Sequence, residues 1–306
     1  MTLQKPRWTA NDFQTLLRLW PEQGSEKTAL KIGKSAKAVQ VMAIRKGLIC
    51  NQKARYSRMA KAISDGNTSC DSEYFCRDWS PNMAYVLGYI YADGCLQKDL
   101  YCLGFLCHSK DEEILLAIHK ELKSTHKVIR SPARIYKGRR NGPKTCFNVS
   151  SKKLVSSLVK RFGLQPCKSS LDLPVPEIPD EWFGHFLRGY FDGDGSVKIR
   201  KNRVGGEISF VGTRKFIKGM RRMVCRLTKS LKTKIQRQIN HKTGRSVYVA
   251  YWGCHRDLKS IYRLMYPKGD YIFLQRKRSA LRVLVRQEVR PMRSVRISPV
   301  IIQKEN

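Results

Sequence analysis

Two short segments constrain this chain more than any other feature. Val86-Leu87-Gly88-Tyr89-Ile90-Tyr91-Ala92-Asp93-Gly94 and Leu187-Arg188-Gly189-Tyr190-Phe191-Asp192-Gly193-Asp194-Gly195 share one layout. Each is an apolar run of helical character with small residues at i and i+4: Gly88 with Ala92, and Gly189 with Gly193. That spacing puts both on one helix face, where the lack of side chain lets a partner helix come unusually close. Each run ends in an acid and then a glycine, Gly94 or Gly195, expected to take the left-handed conformation that closes a helix. An acid there faces the negative end of the helix dipole, at a cost of roughly 0.3–1 kcal/mol. If the helices pair in parallel, Asp93 and Asp194 also repel each other. Stability alone does not select such a pair, whereas a divalent cation between the acids removes the conflict and can assist phosphodiester hydrolysis. A solvated helix-end aspartate is the ordinary explanation of either acid alone, but not of a matched pair.

Charge points the same way. Sixty Lys and Arg stand against 24 Asp and Glu, a formal net charge of +36. Such an excess repels itself and calls for a polyanionic partner, nucleic acid first. A basic ribosome-associated protein and a binder of anionic membranes are the alternatives. With 42% hydrophobic residues the chain can build packed cores, so disorder is excluded as the default. No apolar run approaches the ~20 residues that span a bilayer. The N-terminus has no signal-peptide apolar region, so an intracellular protein is expected, in a bacterial or phage-infected cell or in an organelle. Ten cysteines include no C-x-x-C pair, and Cys70 and Cys76 are too far apart for a zinc knuckle. Cys102, Cys107, Cys146 and Cys225 lie in apolar stretches and are read as small hydrophobes.

Residues 1–50 predict three short helices. Thr9 caps the first, which carries Phe13, Leu16, Leu17 and Trp20 and ends at Pro21; Ser25 opens the second; Gly33 turns the chain; Ser35 caps the third, which stops at Gly47. The stretch resembles small Myb-like and phage helix-turn-helix domains, with Trp8 and Trp20 in the core. That resemblance implies that Lys34, Lys37, Gln40 and Arg45 face DNA. The alternative is a plain three-helix module with a solvated basic face. Residues 51–78 read as a basic linker.

From residue 79 one pattern runs twice, over 79–172 and 173–290, joined near Pro174, Pro176 and Pro179: helix, two strands, helix, two strands, helix. The first copy places helices at Met83–Ala92, Asp111–Leu122 and Lys152–Phe162, with strands near Cys95–Gln97, Leu100–Cys107, Val128–Tyr136 and Thr145–Val149. The second places helices at Trp182–Gly193, Lys215–Leu231 and Asp257–Met265, with strands near Val197–Arg200, Glu207–Val211, Thr233–Gln238 and Val247–Trp252. A basic tail, 291–306, follows as a loose extension.

The paired segments resemble the two motifs of monomeric LAGLIDADG homing endonucleases. The likeness extends to Pro179-Asp180-Glu181-Trp182 ahead of the second motif and to Leu164-x-Pro166-x-Lys168-Ser169 before it. The resemblance implies an α+β fold: two αββαββα halves about a pseudo-twofold axis, with two antiparallel sheets making a DNA saddle, behind a small all-α helix-turn-helix domain. It implies a monomer that binds double-stranded DNA and cuts both strands at a long target site. It also implies two or three Mg²⁺ ions shared between Asp93 and Asp194, with Ala92 and Gly193 as further metal-binding positions. Asp192, matched by Tyr91 in the first copy, is read as an interface residue and not a ligand. Lys168 and Lys277 or Arg276 are the implied basic partners of the site; Ser109 or Lys110, and Thr213 or Arg214, are further candidates. DNA contacts are expected from Lys137, Arg139, Arg140 and Lys144 in the first half. In the second they are expected from Lys198, Arg200, Arg203, Lys234, Arg237, Gln238, Lys242 and Arg245, with Tyr136, Tyr248 and Tyr251 as candidates to pack on sugars. A non-cleaving transcription regulator and an RNA-binding intron maturase are the competing functions. An intein-embedded nuclease is set aside, because no splicing sequence flanks the motifs.

Overall fold

The structure is a computed structural model that describes residues 8–48, 68–136, 139–200, 204–239, 244 and 246–287. The chain divides into two compact units, Met1–Ser69 and Cys70–Asn306. In the first, α1 (Ala10–Ile32) opens on a Thr9 capping box with Asp12, and α2 (Ala36–Arg45) opens on Ser35. Pro21 does not end the first helical segment. The backbone breaks at Gly24, with φ 67°, where only glycine turns without a steric penalty. Leu16, Trp20, Ala29, Val39 and Ala43 form this unit's core, and Trp8 packs against it.

The second unit begins within the stretch read as linker. Tyr74 and Phe75, in a single 3₁₀ turn, are buried in its core. The first half then runs α3 (Pro81–Asp93), β1 (Cys95–Leu96), β2 (Cys102–His108), α4 (Glu112–Glu121), β3 (Ile129–Ser131), β6 (Lys144–Ser150) and α5 (Lys152–Phe162). Between β3 and β6, strands β4 (Arg134–Tyr136) and β5 (Arg139–Asn141) pair only with each other, as a separate ribbon. The second half runs α6 (Asp180–Asp194), β7 (Gly195–Ile199), β8 (Gly206–Gly212), α7 (Arg214–Thr228), β9 (Ile235–Ile239), β10 (Ser246–Trp252) and α8 (His255–Met265). A further helix, α9 (Gln275–Arg286), was not expected from the sequence. Both sheets are antiparallel and share one order, β1-β2-β6-β3 and β7-β8-β10-β9. Alternation sends Leu103, Phe105, Phe147 and Val149 of one sheet, and Ile208, Phe210, Ala250 and Trp252 of the other, into a common core with the helices. This is the duplicated αββαββα architecture behind a small all-α unit. No described helix is long and apolar enough to cross a membrane.

The two halves meet along α3 and α6. A β-carbon on Gly88 would fall on the Phe186 carbonyl oxygen and 2.9 Å from Tyr190 N; one on Gly189 would fall on the Tyr85 carbonyl oxygen and 2.9 Å from Tyr89 N. The contacts are reciprocal, and Ala92 meets Gly193 farther along, so the helices run parallel with their C-terminal ends together. Gly94 and Gly195 correct the expectation of a left-handed close. Their φ values are −70° and −85°, ordinary extended backbone, because each helix passes straight into a strand. Glycine is required there for space. A β-carbon on Gly94 would lie 2.7 Å from Ile90 Cα, and one on Gly195 2.8 Å from Phe191 Cα.

Backbone oxygens cannot yield as a flexible side chain can. Gly189→Ala is therefore expected to cost about 3 kcal/mol or more, the range of severe core overpacking. Urea unfolding of the purified variant checks this, and a loss below about 1 kcal/mol would mean that the helices are free to move apart.

Candidate active site and nucleic-acid face

The parallel helix pair delivers Asp93 and Asp194 to the same end of the interface. The Asp93 carboxylate lies against the last turn of α6: a β-carbon on Gly193 would be 3.3 Å from its Oδ2. Asp93 reaches solvent and Asp194 is half-buried. Burial raises the Asp93 carboxyl above its ordinary range, against the pull of Lys168 and Lys277. Burial and then the Asp93 charge push Asp194 up to about 6, again opposed by the two lysines. Among the described residues no group of three or more His, Cys, Asp and Glu is assembled to hold a metal ion.

Lys168 and Lys277 hold matching positions. The Lys168 ammonium donates to the carbonyls of Tyr91 (2.7 Å) and Ala92 at the end of α3. The Lys277 ammonium donates to Phe191 (2.7 Å), Asp192 (2.8 Å), Gly193 (3.1 Å) and Gly195 (2.8 Å) at the end of α6. Helix ends leave carbonyls without intrahelical partners and carry negative dipole charge, and each lysine answers both. Burial lowers both amines, Lys277 to about 8. Arg276 does not join the acids; it is paired with Asp111 at 2.6 Å. Ser109 accepts from Thr145, and Lys110 and Arg214 are exposed.

Asp192 belongs to a different network. Fully enclosed, it accepts from Tyr85 Oη across the helix interface and from Leu274 N, both at 2.8 Å, and burial pushes it up to about 7. Four residues earlier, Arg188 is 0% exposed. It donates to the Ile272 carbonyl (2.9 Å), the Met265 carbonyl (2.5 Å) and His185 Nδ1 (2.8 Å), and stacks 4.0 Å over Tyr271. His185, lowered by burial to about 4, stays neutral beside it. These groups lock α6 to the 265–274 segment that leads to Lys277. An arginine inside the run Phe186-Leu187-Arg188-Gly189-Tyr190-Phe191 was the sequence signal for this buried site.

Register divides the expected DNA contacts. With Ile235, Tyr248, Ala250 and Trp252 turned to the core, the outer face of the second sheet carries Ser196, Lys198, Glu207, Ser209, Lys234, Gln236, Gln238 and Tyr251. Lys198 is exposed, 3.9 Å from Glu207, and Gln238 donates to Tyr251 Oη at 2.8 Å. Arg200, beyond β7, is exposed. Arg237 is displaced from this set: as the neighbour of Gln238 it points to the opposite face, bonded to Ser246 Oγ at 2.9 Å. Tyr248 packs on the core. In the first sheet Lys144 shares the outer face with His108, its cross-strand partner. The backbone of Arg139 and Arg140 lies in β5, while Lys137, Arg203, Lys242 and Arg245 lie outside the described residues, as does the tail 291–306. In the N-terminal unit Lys37, Gln40 and Arg45 are exposed on α2. Lys34 is not: it sits 5.5 Å over the Trp8 ring and 3.5 Å from Asp12, as part of the packing.

Comparison with known proteins finds a family match over part of the second unit. Residues 182–276 match the family described as LAGLIDADG-like domain. Over 140 residues the chain is 28% identical to a probable translation initiation factor IF-2 of Methanocaldococcus jannaschii, covering 44% of this chain and 11% of that protein. Over 182 residues it is 30% identical to a DNA polymerase of Thermococcus litoralis, covering 57% of this chain and 10% of that protein. The chain thus spans about a tenth of the length of these curated relatives. Among solved structures it is similar to the homing endonuclease I-WcaI bound to its DNA recognition sequence (14% identical, TM-score 0.41, 64% of this chain and 86% of that one). It is also similar to the N-terminal LAGLIDADG domain of DUF199/WhiA (15%, 0.39, 66% and 85%) and to I-DmoI in complex with DNA and Ca (15%, 0.40, 69% and 98%).

The raised acid has a measurable consequence. A carboxyl with a folded pKa of about 6 holds its proton more tightly in the native chain than in the unfolded one, where it titrates near about 4. Its contribution to stability is therefore greatest below about 4 and is lost as pH rises to about 6. Asp194→Asn should gain stability relative to the parent chain across that window. Thermal unfolding of both proteins from pH 4 to 7 checks this; curves that stay parallel would contradict it.

Proposed function

We propose that this chain is a divalent-metal-dependent endonuclease that cuts both strands of duplex DNA at a long target, as a monomer. The observation that carries the proposal is the meeting of Asp93 and Asp194 at the ends of two helices held backbone to backbone, both acids raised by burial. Two carboxylates brought together on a chain of net charge +36 suit chemistry on a polyanion.

The donor set fits Mg²⁺, which takes one or two carboxylates and completes its shell with water and substrate phosphate oxygens. Asp93 and Asp194 would hold the ions, beside the backbone of Ala92 and Gly193. When bound, the metal supplies Lewis acidity that activates water and offsets charge on the leaving oxygen. The chain's own residues position the rest. Lys168 and Lys277 would fix the two helix ends and act as positioning residues, because both ammonium groups donate to the terminal backbone carbonyls. Asp192 and Arg188 hold the segment that carries Lys277 against α6. Lys144, Lys198, Arg200, Lys234 and Gln238, with Arg139 and Arg140 of the ribbon, would lie along the duplex. There arginine and glutamine can read base edges and lysine meets phosphate. In the N-terminal unit Lys37, Gln40 and Arg45 would add contacts in the manner of a helix-turn-helix.

Incubation of the purified chain with a library of linear duplexes, with Mg²⁺ or with chelator, tests this. Discrete Mg²⁺-dependent double-strand cuts are expected. Asp93→Asn and Asp194→Asn should each lower the rate by roughly a hundredfold or more, the scale of losing a transition-state charge stabiliser, without weakening DNA binding. Cutting that persists in the double variant would remove the acids from the mechanism; sequence-specific binding without cutting would favour a regulator.

A further inference from the structure

On the outer face of the first sheet, Leu106 of β2, Cys146 of β6 and Ile129 of β3 form one row: Leu106 pairs with Cys146, and Cys146 with Ile129. Leu106 is 47% and Ile129 46% exposed, so the row is apolar and open. The next row is polar and basic, with His108 and Ser131 on either side of Lys144. None of the described outer-face positions of this sheet is an acid. The second sheet has the same row at equivalent register. Its members are Val211, Val249 and Gln236, so Gln236 stands where the first half has Ile129.

An open apolar row beside an exposed lysine, on a sheet face with no acid among its described positions, matches a duplex major groove, where phosphates line the rim and thymine methyl groups stand on the floor. A protein partner with an apolar face would leave Lys144 without a counter-charge among the described positions of this face. We infer that Leu106 and Ile129 read thymine methyl groups in the half-site under the first sheet. The equivalent position under Gln236 is read by hydrogen bonding instead, to an adenine edge. This inference rests on the proposed action on duplex DNA and adds a base preference that differs between the two half-sites.

The test uses the full chain. Preferred duplexes are selected from a random library in chelator, and each thymine of the recovered site is then replaced by deoxyuridine, which removes only the methyl group. Binding is expected to weaken about three- to fivefold at one or more thymines of one half-site, the effect of one buried methyl. Ile129→Ser and Leu106→Ser should abolish that difference while binding the uracil-substituted site as the parent does, with unchanged unfolding midpoints. If every replacement is neutral in the parent chain, methyl reading is wrong while duplex recognition stands, and this outcome needs no variant. If no preferred duplex emerges, the nuclease proposal fails and this one with it.

Discussion

The close approach of α3 and α6 is the contact on which the rest of this molecule depends. Gly88 lies against the Phe186 carbonyl and Gly189 against that of Tyr85, so no side chain separates the two backbones. That one constraint fixes several others. It makes the helices parallel, sets the halves about a pseudo-twofold relation, and brings two chain positions a hundred residues apart to the same end of the bundle. It also explains why the helices are buried nearly all round, since each is enclosed by its partner on one side and by a sheet and outer helices on the others.

The same geometry creates an electrostatic conflict. Two helix C-termini side by side put two negative dipole ends together, and each then adds an aspartate. Lys168 and Lys277 answer the dipole part by donating to the terminal carbonyls. They leave the carboxylates uncapped: both acids remain raised even with two ammonium groups nearby. The fold thus compensates the backbone charge and leaves the side-chain charge unbalanced. That imbalance is what the proposed metal-dependent activity draws on.

Much of this was legible in the sequence because its carriers are local. Small residues four apart, two matched acids and the period-two alternation of the strands located the motif helices, both sheets and the helix Lys152–Phe162. What failed depended on long-range placement. Glycine at 94 and 195 was read through its backbone freedom, whereas the cause is contact with Ile90 and Phe191. Lys34 and Arg237 are basic residues in basic stretches, and only packing against Trp8 and the register with β10 remove them from the expected surfaces. Helix α9 has charge spread along it and just a few buried anchors, Lys277, Leu281, Leu284 and Val285, too sparse to stand out. Tyr74 and Phe75 sit in a three-residue turn, below the length at which periodicity exists.

The central claim is that Asp93 and Asp194 share one electrostatic site because of the helix pair. A double-mutant cycle on unfolding free energy tests it most directly, with Asp93→Asn, Asp194→Asn and the combination measured by urea denaturation at pH 7.5 without divalent ions. Mutual repulsion predicts strong non-additivity: each single change relieves the conflict, and the second change adds less than it does alone. Additive effects within about 0.3–0.5 kcal/mol would show that the two acids do not meet, and would contradict the account.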